Sequence, residues 1–313
     1  MPPITAEAIA AAYPLIRPHI RETPVIEVAA SDFPLAGAPI AFKLEFLQVS
    51  GTFKARGAFC NLLTRGSADQ LVVAASGGNH GAAVAFAAQK LGRRAEIFVP
   101  AISSPAKVAR IKAYGASVVV GGANYHEAYL ASQERVAATD AIYVHAYDQP
   151  ETLIGQGTVA LELQRQAPDA DTVLVSVGGG GLIGGIAAWY AGRTRVIGVE
   201  PEHAPTLRRA LDAGQPVDVD VSGLAADSLG ARRIGTHPFA VAQQYIADAL
   251  LVTDAEIASA QRALWDVLRV VVEPGGAAAF AVLLSGRYRP KAEERVAVLL
   301  CGANTDAVHF ASP

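Results

Sequence analysis

The sequence predicts an α/β fold with two domains, each an open, mostly parallel, twisted sheet with helices on both faces. Three observations support this prediction. Short β-branched runs alternate with alanine-rich stretches of helical length, as in chains of β–α units. The 29 glycines and 18 prolines supply the many tight turns that such units need. The length of 313 residues suffices for two domains, each of roughly 150 residues.

The individual elements follow from the local composition, taken in chain order. Apolar runs of three to seven residues predict buried strands, and the alanine-rich segments after turns predict helices. The predicted strands are 71–75, 95–99, 118–120, 142–145, 172–177, 195–200 and 295–301. The predicted helices are 79–91, 107–114, 125–138, 155–166, 182–191, 205–213, 254–268 after a Thr253 cap, and 274–284.

Two polar turns, near residues 64–70 and 147–151, are the places where we expect the chain to cross between domains. Residues 1–66 and 149–313 are therefore assigned to a large domain, and residues 67–148 to a small one.

The composition excludes several classes of protein. Lys plus Arg is 26 and Asp plus Glu is 29, a net charge of −3, which does not favour a nucleic-acid surface. Hydrophobic residues make up 51% and charged residues 18%, which excludes a disordered chain. Cys60 and Cys301 are too few for a disulfide framework or a four-thiolate zinc site, and they fit a reducing cytoplasm.

No signal peptide or membrane partner is expected. The N-terminal residues lack a basic segment followed by an apolar one. Residues 172–192 carry no charge over the length of a membrane span, but four consecutive glycines stand in their middle. Since glycine weakens a helix interior, a strand, a turn and a helix explain this segment better.

Lys54 is the first candidate for chemistry. Ser50 or Thr52 can cap a helix that begins here, which places Lys54 in its first turn. The positive end of a helix disfavours the ammonium form, and Schiff-base chemistry requires the neutral amine. The alternative is an exposed lysine paired with a neighbouring acid.

The segment Ser76-Gly77-Gly78-Asn79-His80-Gly81 lies between a predicted strand and a predicted helix. Backbone N–H groups at the start of a helix bind anions such as carboxylates, and Asn79 and His80 add side-chain donors. The alternative is a plain glycine turn capped by Ser76 or Asn79.

The four glycines 178–181 form a similar junction. Without Cβ atoms the backbone can wrap a phosphate at the start of the next helix. Gly179, Gly181 and Gly184 also fit the dinucleotide pattern G-x-G-x-x-G, and Glu200 stands near the place of its acidic residue, so an NAD(P)-dependent oxidoreductase remains an alternative.

Cys301 ends the last predicted strand. A buried small hydrophobic role is its ordinary interpretation, but strand ends in open α/β sheets also face the ligand crevice.

Taken together and in order, these segments resemble fold-type II pyridoxal-phosphate enzymes, in particular the group of threonine/serine dehydratases (threonine ammonia-lyases) and serine racemases. Residues 50–58 resemble the Schiff-base lysine motif, residues 76–81 the substrate carboxylate loop, and residues 178–181 the phosphate loop. Supporting counterparts are residues 21–24, 43–45, 198–201, 273–274 and 301–304. The resemblance implies a tryptophan-synthase-β-like fold whose large domain binds the cofactor and whose small domain carries the substrate loop.

The resemblance also implies roles for individual residues. Lys54 is expected to bind pyridoxal 5′-phosphate as a Schiff base and to remove the Cα proton as general base, with Phe53 packed near the ring. Asn79 is expected to hydrogen-bond the ring hydroxyl, and Cys301 to face the pyridine nitrogen. The phosphate is assigned to Gly178, Gly179, Gly180, Gly181 and Leu182, and the substrate to Ser76, Gly77, Asn79 and His80.

The sequence departs from this group in three ways. Racemases of the group carry serine where Gly77 stands, and glycine cannot transfer a proton, so dehydration is expected rather than efficient racemisation. Relatives with a divalent cation use a glutamate like Glu200, a carbonyl at the position of Ala204, and an aspartate where Thr206 stands, so no bound metal is expected. Little chain follows Cys301, so feedback through a C-terminal regulatory domain is not expected.

The predicted function is a cytoplasmic, homodimeric ammonia-lyase that eliminates water from L-threonine or L-serine to give a 2-keto acid and ammonia. A thiol beside the pyridine nitrogen does not keep it protonated, which favours β-elimination over transamination. If Arg232 or Arg233 pointed inward, it could clamp a second carboxylate, and the substrate would be a 3-hydroxyaspartate. A β-replacement enzyme resembling cysteine synthase and a non-catalytic cofactor-binding protein are two further possibilities.

Overall fold

The computed structural model describes residues 3–103, 105–305 and 308, which form two sheets with their covering helices. The strands are β1 (Val25–Val28), β2 (Ile40–Lys43), β3 (Val72–Ala75), β4 (Ala95–Val99), β5 (Ser117–Val120), β6 (Ile142–Tyr143), β7 (Thr172–Ser176), β8 (Arg195–Pro201), β9 (Ile246–Val252) and β10 (Val296–Leu299). The helices are α1 (Ala6–Ile16), α2 (Lys54–Thr64), α3 (Asn79–Lys90), α4 (Pro105–Ala113), α5 (Tyr125–Ala138), α6 (Pro150–Gln166), α7 (Gly181–Tyr190), α8 (Thr206–Ala213), α9 (Ala226–Leu229), α10 (Thr236–Tyr245), α11 (Asp254–Leu268) and α12 (Pro274–Leu284).

Both sheets are almost entirely parallel. The larger has the strand order β1-β2-β10-β7-β8-β9, and within it only the β1–β2 pair is antiparallel. The smaller has the order β5-β4-β3-β6 and is parallel throughout. The predicted α/β class with two mostly parallel sheets is therefore confirmed. The strands of the smaller sheet fall within residues 67–148, and the division into domains at those residues stays a prediction.

The two sheets share one hydrophobic core. Phe59 of α2 and Ile154 of α6 are buried in the same cluster as Val72 of the smaller sheet and Val173 of the larger one. The other face of the larger sheet has its own core, in which the rings of Phe33 and Phe280 meet edge to face at 4.7 Å. Burial of each such ring stabilises the fold by about 1.5–3 kcal/mol.

The uncharged segment 172–192 forms strand β7, the glycine turn and helix α7, as predicted. Within the ranges that the structure describes, no helix has both the length and the apolar character needed to cross a membrane.

A cluster of four charged side chains lies fully buried beneath α2. The guanidinium of Arg56 bridges Glu45 and Glu162, at 2.8 and 2.7 Å, and the ammonium of Lys43 lies 2.8 Å from Glu162. All four side chains are inaccessible to solvent. Because Arg56 stands two residues after Lys54, this cluster anchors the turn of α2 that carries the candidate nucleophile.

Candidate active site

One cavity collects residues from distant parts of the chain. Most of its lining residues directly follow a strand or begin a helix, as expected for a ligand crevice in an open α/β fold. They are Phe53, Lys54, Asn79, Tyr147, Ser176, Gly178, Gly179, Gly180, Gly181, Leu182, Ile183, Ser228, Leu229, Glu273, Gly275 and Cys301. All residues predicted to bind the cofactor are among them. Their individual contacts with a cofactor stay predictions.

Lys54 is the first residue of α2, and its amine points into this cavity. Of the two proposed capping residues, Thr52 is the one that accepts a hydrogen bond from the Lys54 backbone N–H, at 3.3 Å. The Nζ atom donates to the carbonyl of Ala146 at 2.8 Å and lies 5.2 Å from the centre of the Phe53 ring. Burial lowers the pKa of Lys54 to about 8, against the opposing pull of Cys301 and Glu273. Roughly a tenth of the amine is therefore neutral at pH 7.

The glycine loop turns its carbonyls away from the cavity. The carbonyl of Gly178 accepts from the hydroxyl of Thr206 at 2.5 Å, and that of Gly179 accepts from the N–H of Gly235 at 3.1 Å. In a trans peptide the C=O and the following N–H point in opposite directions. These bonds therefore aim the N–H groups of Gly179 and Gly180 towards the cavity.

The same loop has the properties that a phosphate requires. In the described part of the chain, no acceptor is bonded to the backbone N–H groups of residues 179–182, which stand at the start of the ten-residue helix α7. A Cβ on Gly179 would lie 2.3 Å from the Tyr147 ring, and Gly180 has a φ of +89°, which favours glycine. Free N–H donors, a helix N-terminus and the absence of side chains fit a phosphate group.

Asn79 is held from both sides by the segments that follow α11 and β10. Its amide nitrogen donates to Glu273 at 2.7 Å, and its oxygen accepts from Asn304 at 2.8 Å. An amide carries two N–H bonds, so one remains for the ring hydroxyl that the resemblance assigns to Asn79. Burial raises the pKa of Glu273 to about 7, while the hydrogen bond from Asn79 opposes that rise.

Cys301 lies two residues after the end of β10 and is 3% exposed. Its thiol donates to the carbonyl of Gly275 at 3.4 Å. Burial raises the pKa of this thiol, and the charge of Glu273 raises it further. The Cys301 thiol is therefore neutral at physiological pH, as the predicted role beside a pyridine nitrogen requires.

Of the residues predicted to bind the substrate, Asn79 alone is among the lining residues of the cavity. The hydroxyl of Ser76 accepts from the Gly78 N–H at 3.2 Å, and Nε2 of His80 lies 2.9 Å from the carbonyl of Val144. Burial lowers the pKa of His80 to about 3, so the ring is neutral and its contact with Val144 is structural. Asn79 lines the cavity, whereas substrate contacts of Ser76, Gly77 and His80 stay predictions.

Sequence reasoning missed several residues of the cavity. Tyr147 lies in the turn before α6, and its ring packs over Gly179. Glu273 belongs to one of the supporting counterparts of the resemblance, which gives it no role. The remaining additions are Ser176, Ile183, Ser228, Leu229 and Gly275. These residues carry no local motif, and only the fold brings them together.

Glu200 is fully buried and accepts from the backbone N–H groups of Leu207 and Arg208, at 2.7 and 2.8 Å. Because Glu200 is fully buried, a ribose hydroxyl cannot reach it, so the structure does not support the dinucleotide alternative. Over the described ranges, no group of three or more His, Cys, Asp or Glu residues is arranged to hold a metal.

The two arginines considered for a second carboxylate lie outside the cavity. Arg232 and Arg233 are both exposed, and the guanidinium of Arg233 lies 3.3 Å from Asp218. The structure therefore gives no support to 3-hydroxyaspartate as the preferred substrate.

A buried, partly neutral lysine beside a loop that fits a phosphate group is what is expected of an enzyme that binds a phosphorylated aldehyde covalently. Residues 16–302 match the family model described as "Pyridoxal-phosphate dependent enzyme". The chain belongs to this family, and pyridoxal phosphate is its cofactor. The predicted resemblance is thereby confirmed.

Named relatives cover nearly the whole chain. Phenylserine dehydratase of Ralstonia pickettii is 38% identical over 310 residues, which are 97% of this chain and 94% of the relative. L-threonine ammonia-lyase of Geobacter sulfurreducens is 38% identical over 297 residues, 93% of this chain and 73% of the relative. The solved structure of maize serine racemase matches with a TM-score of 0.91 at 31% identity, covering 97% of this chain and 94% of that one.

Proposed function

We propose that the protein is a pyridoxal-phosphate-dependent dehydratase that converts β-hydroxy amino acids, with L-threonine and L-serine as its substrates, to 2-keto acids and ammonia. The observation that carries the proposal is the Lys54 amine, buried and with a pKa lowered to about 8, in the same cavity as the side-chain-free loop 178–181. The names of the dehydratase and ammonia-lyase relatives support this reaction class.

The chain's own residues supply binding, orientation and proton transfer. The N–H groups of residues 179–182 bind the cofactor phosphate, and the remaining N–H of Asn79 orients the ring. When bound, pyridoxal phosphate supplies the aldehyde and the ring that takes up the electron pair left at Cα. Lys54 accepts the Cα proton at Nζ as general base.

The neutral thiol of Cys301 favours β-elimination over transamination. Because it keeps its proton, it would leave the pyridine nitrogen of the bound cofactor uncharged, and the ring would then take up electrons only weakly. The β-hydroxyl then leaves early as water, together with a proton that balances the one Lys54 takes from Cα. Hydrolysis of the resulting enamine consumes one water and releases ammonia and the 2-keto acid.

The substrate side chain is the open part of the proposal. The relative from Ralstonia pickettii is named for phenylserine and the one from Geobacter sulfurreducens for L-threonine. A panel of L-threonine, L-serine, phenylserine and 3-hydroxyaspartate therefore ranks the substrates by kcat/KM.

The proposal is tested by absorbance and product formation. The wild-type protein should show a visible band of lysine-bound cofactor that shifts on addition of a hydroxy amino acid, with 2-keto acid formed. Lys54→Ala should lose both the band and the product, while Lys90→Ala, at an exposed lysine, should retain both. A wild-type protein that binds the cofactor but forms no keto acid from any member of the panel would contradict the proposal.

We also propose that the enzyme is a cytoplasmic homodimer, as the resemblance implies. Cys60 and Cys301 are both buried and unpaired, which suits a reducing compartment. Sedimentation equilibrium tests the dimer, and a monomer at micromolar concentration would refute it.

A further inference from the structure

The first carbonyl of the phosphate loop is held by a side chain rather than by backbone. The hydroxyl of Thr206 lies 2.5 Å from the carbonyl oxygen of Gly178 and 3.0 Å from Oε1 of Glu200. Both Thr206 and Glu200 are fully buried, so water does not mediate this contact from bulk solvent. The three groups form a line from the interior of the larger sheet to the loop.

Counting protons shows how the line is bonded. A threonine hydroxyl has one O–H bond, and a carbonyl has none. The hydrogen of Thr206 therefore goes to Gly178, at the shorter distance. The 3.0 Å contact between Thr206 and Glu200 is then a hydrogen bond only if Glu200 carries a proton and donates it. With Glu200 ionised, the single hydrogen of Thr206 would have to serve both Gly178 and Glu200.

The remaining contacts of Glu200 are compatible with a protonated carboxyl. Its Oε1 accepts from the N–H of Leu207 at 2.7 Å, and its Oε2 accepts from the N–H of Arg208 at 2.8 Å. A protonated Oε1 can donate to Thr206 through its hydrogen and accept from Leu207 through a lone pair. Every polar atom of the carboxyl group is then used.

The charges near Glu200 are few. The guanidinium of Arg208 on α8 faces it but is itself paired with Asp212 and with Asp248 of β9. Strand β7 and helix α12 carry no titratable side chain, and α7 carries only Tyr190. Burial raises the pKa of Glu200 to about 7, against the hydrogen bonds from the backbone N–H groups of Leu207 and Arg208 and the charge of Arg208. The protonated form is therefore well populated at neutral pH.

We propose that Glu200 and Thr206 are positioning residues that form a strut behind the phosphate loop, in which the Glu200 carboxyl donates to Thr206 and Thr206 donates to Gly178. The strut fixes the plane of the peptide between Gly178 and Gly179 and so aims the Gly179 N–H at the cofactor phosphate. This inference rests on the proposed role of residues 178–181 in phosphate binding.

The hydrogen bonds of the strut depend on whether Glu200 carries its proton. When Glu200 ionises, its Oε1 competes with the carbonyl of Gly178 for the hydrogen of Thr206. The peptide between Gly178 and Gly179 is then held less firmly, and the loop binds phosphate more weakly. The affinity for a phosphorylated ligand is expected to fall as the pH rises through the titration of Glu200.

The probe for this effect is pyridoxine 5′-phosphate, which has no aldehyde and cannot react with Lys54. Its dissociation constant is measured on the full-length protein, freed of cofactor, at pH 6 and pH 8. Thr206→Val has nearly the same shape as wild type but no hydroxyl, and Thr206→Ser retains the hydroxyl. We expect Thr206→Val to weaken binding about five- to tenfold and Thr206→Ser to stay within about twofold of wild type.

The variant Glu200→Gln tests whether the ionisation of Glu200 controls the affinity for the phosphorylated ligand. Glutamine keeps a donor for Thr206 and cannot ionise, but it gives up one acceptor for the N–H groups at the start of α8. We expect a lower melting temperature and an affinity that no longer follows the ionisation of residue 200. The ratio of the wild-type and Glu200→Gln dissociation constants, taken at one pH, cancels the titration of the ligand itself. This ratio should rise about fivefold from pH 6 to pH 8.

The outcomes separate the strut from the cofactor site. A Thr206→Val affinity equal to wild type, a Thr206→Ser affinity as poor as that of Thr206→Val, or a constant ratio between the two pH values would overturn the strut alone. Failure of the wild-type protein to bind pyridoxal phosphate or pyridoxine 5′-phosphate would overturn the assignment of the loop as well. If Thr206→Val does not fold, the Glu200→Gln ratio still decides the question.

Discussion

Replacing Arg56 by methionine removes the centre of the buried charge cluster beneath α2. Its guanidinium donates five hydrogen bonds, two to Glu45, two to Glu162 and one to Thr158, at distances of 2.7 to 3.2 Å. The two glutamates and Arg56 have no solvent exposure. Methionine approximates the length of the aliphatic stem and supplies none of these donors.

The magnitude follows from the charges that remain. Without Arg56, the carboxylates of Glu45 and Glu162 are left with the ammonium of Lys43 as the remaining cation of the cluster. Removing one partner from a buried ionic network costs about 3–5 kcal/mol, because a charge is left uncompensated. We expect the free energy of unfolding to fall by about 4 kcal/mol at pH 7.

The pH dependence of this loss has a definite sign. Burial alone would raise the pKa of Glu162, but the charges of Arg56 and Lys43 lower it below the ordinary value of 4.5. A carboxylate of this kind stabilises the fold above its ordinary pKa and loses that contribution as the pH falls through its folded-state pKa. The difference between wild type and Arg56→Met should therefore shrink at pH values below 4.5.

Urea unfolding followed by circular dichroism, with saturating cofactor, measures the effect. The control is Arg165→Met, at an arginine whose side chain is 52% exposed and pairs with Glu22. It should cost less than about 1 kcal/mol. Adding Glu45→Gln to Arg56→Met restores neutrality and should recover part of the loss. A loss for Arg56→Met no larger than that for Arg165→Met would refute the reasoning.

Three further results are expected. Gly179→Ala places a Cβ 2.3 Å from the Tyr147 ring and should weaken pyridoxal-phosphate binding, measured by fluorescence titration, about tenfold or more. The control is Gly121→Ala, whose Cβ meets nothing within 4 Å and which should leave the titration unchanged. Because only the neutral amine reacts and the pKa of Lys54 is about 8, the stopped-flow rate of cofactor attachment should rise about tenfold per pH unit below that value and then level off; a flat profile would count against it. Burial raises the pKa of Glu273 from 4.5 to about 7, so its contribution to stability is present below 4.5 and is lost as the pH rises through about 7. Glu273→Gln should therefore gain about 2–3 kcal/mol on wild type between pH 5 and pH 8 in urea unfolding of the cofactor-free protein, and a constant difference would disprove this.

Element boundaries were predicted best where a side chain or a proline marks them. The helices Tyr125–Ala138 and Asp254–Leu268 agree with prediction at both ends, because Asn124 and Thr253 cap their first turns. The helix Pro274–Leu284 also agrees, with proline in its first turn. Local chemistry decides such boundaries, so the sequence contains them.

The predicted start of helix α6 was wrong, because its glycines allow close helix packing and do not form a turn. Helix α6 begins at Pro150, five residues before the predicted start, and runs through Gly155 and Gly157. A Cβ on Gly155 would lie 2.6 Å from the carbonyl of Arg56, and one on Gly157 would lie 2.8 Å from the carbonyl of Gly185. These glycines let three helices approach closely. A single sequence does not distinguish this use of glycine from a turn.

The candidate site, like the helix boundaries, could be predicted from the sequence only where a local motif marks its residues. Lys54, Asn79, the glycine loop and Cys301 stand in recognisable motifs, and the structure gathers all of them at one cavity. The contact between Asn79 and Glu273 joins residues 194 positions apart. Its geometry depends on the packing of α3 against the segment before α12, which no local pattern records.

If residues 178–181 bind the cofactor phosphate, as we propose, the absence of side chains in this loop limits how the enzyme can be redesigned. A loop made of four glycines offers a protein engineer no functional group to exchange at the surface that meets the ligand, and the packing around Gly179 leaves no room to add one. Cofactor affinity would therefore be tuned through the residues that contact the loop, namely Thr206, Gly235 and Tyr147, which decide where its backbone lies. A mutant library for altered cofactor preference should be built on those three positions, and the loop itself left untouched.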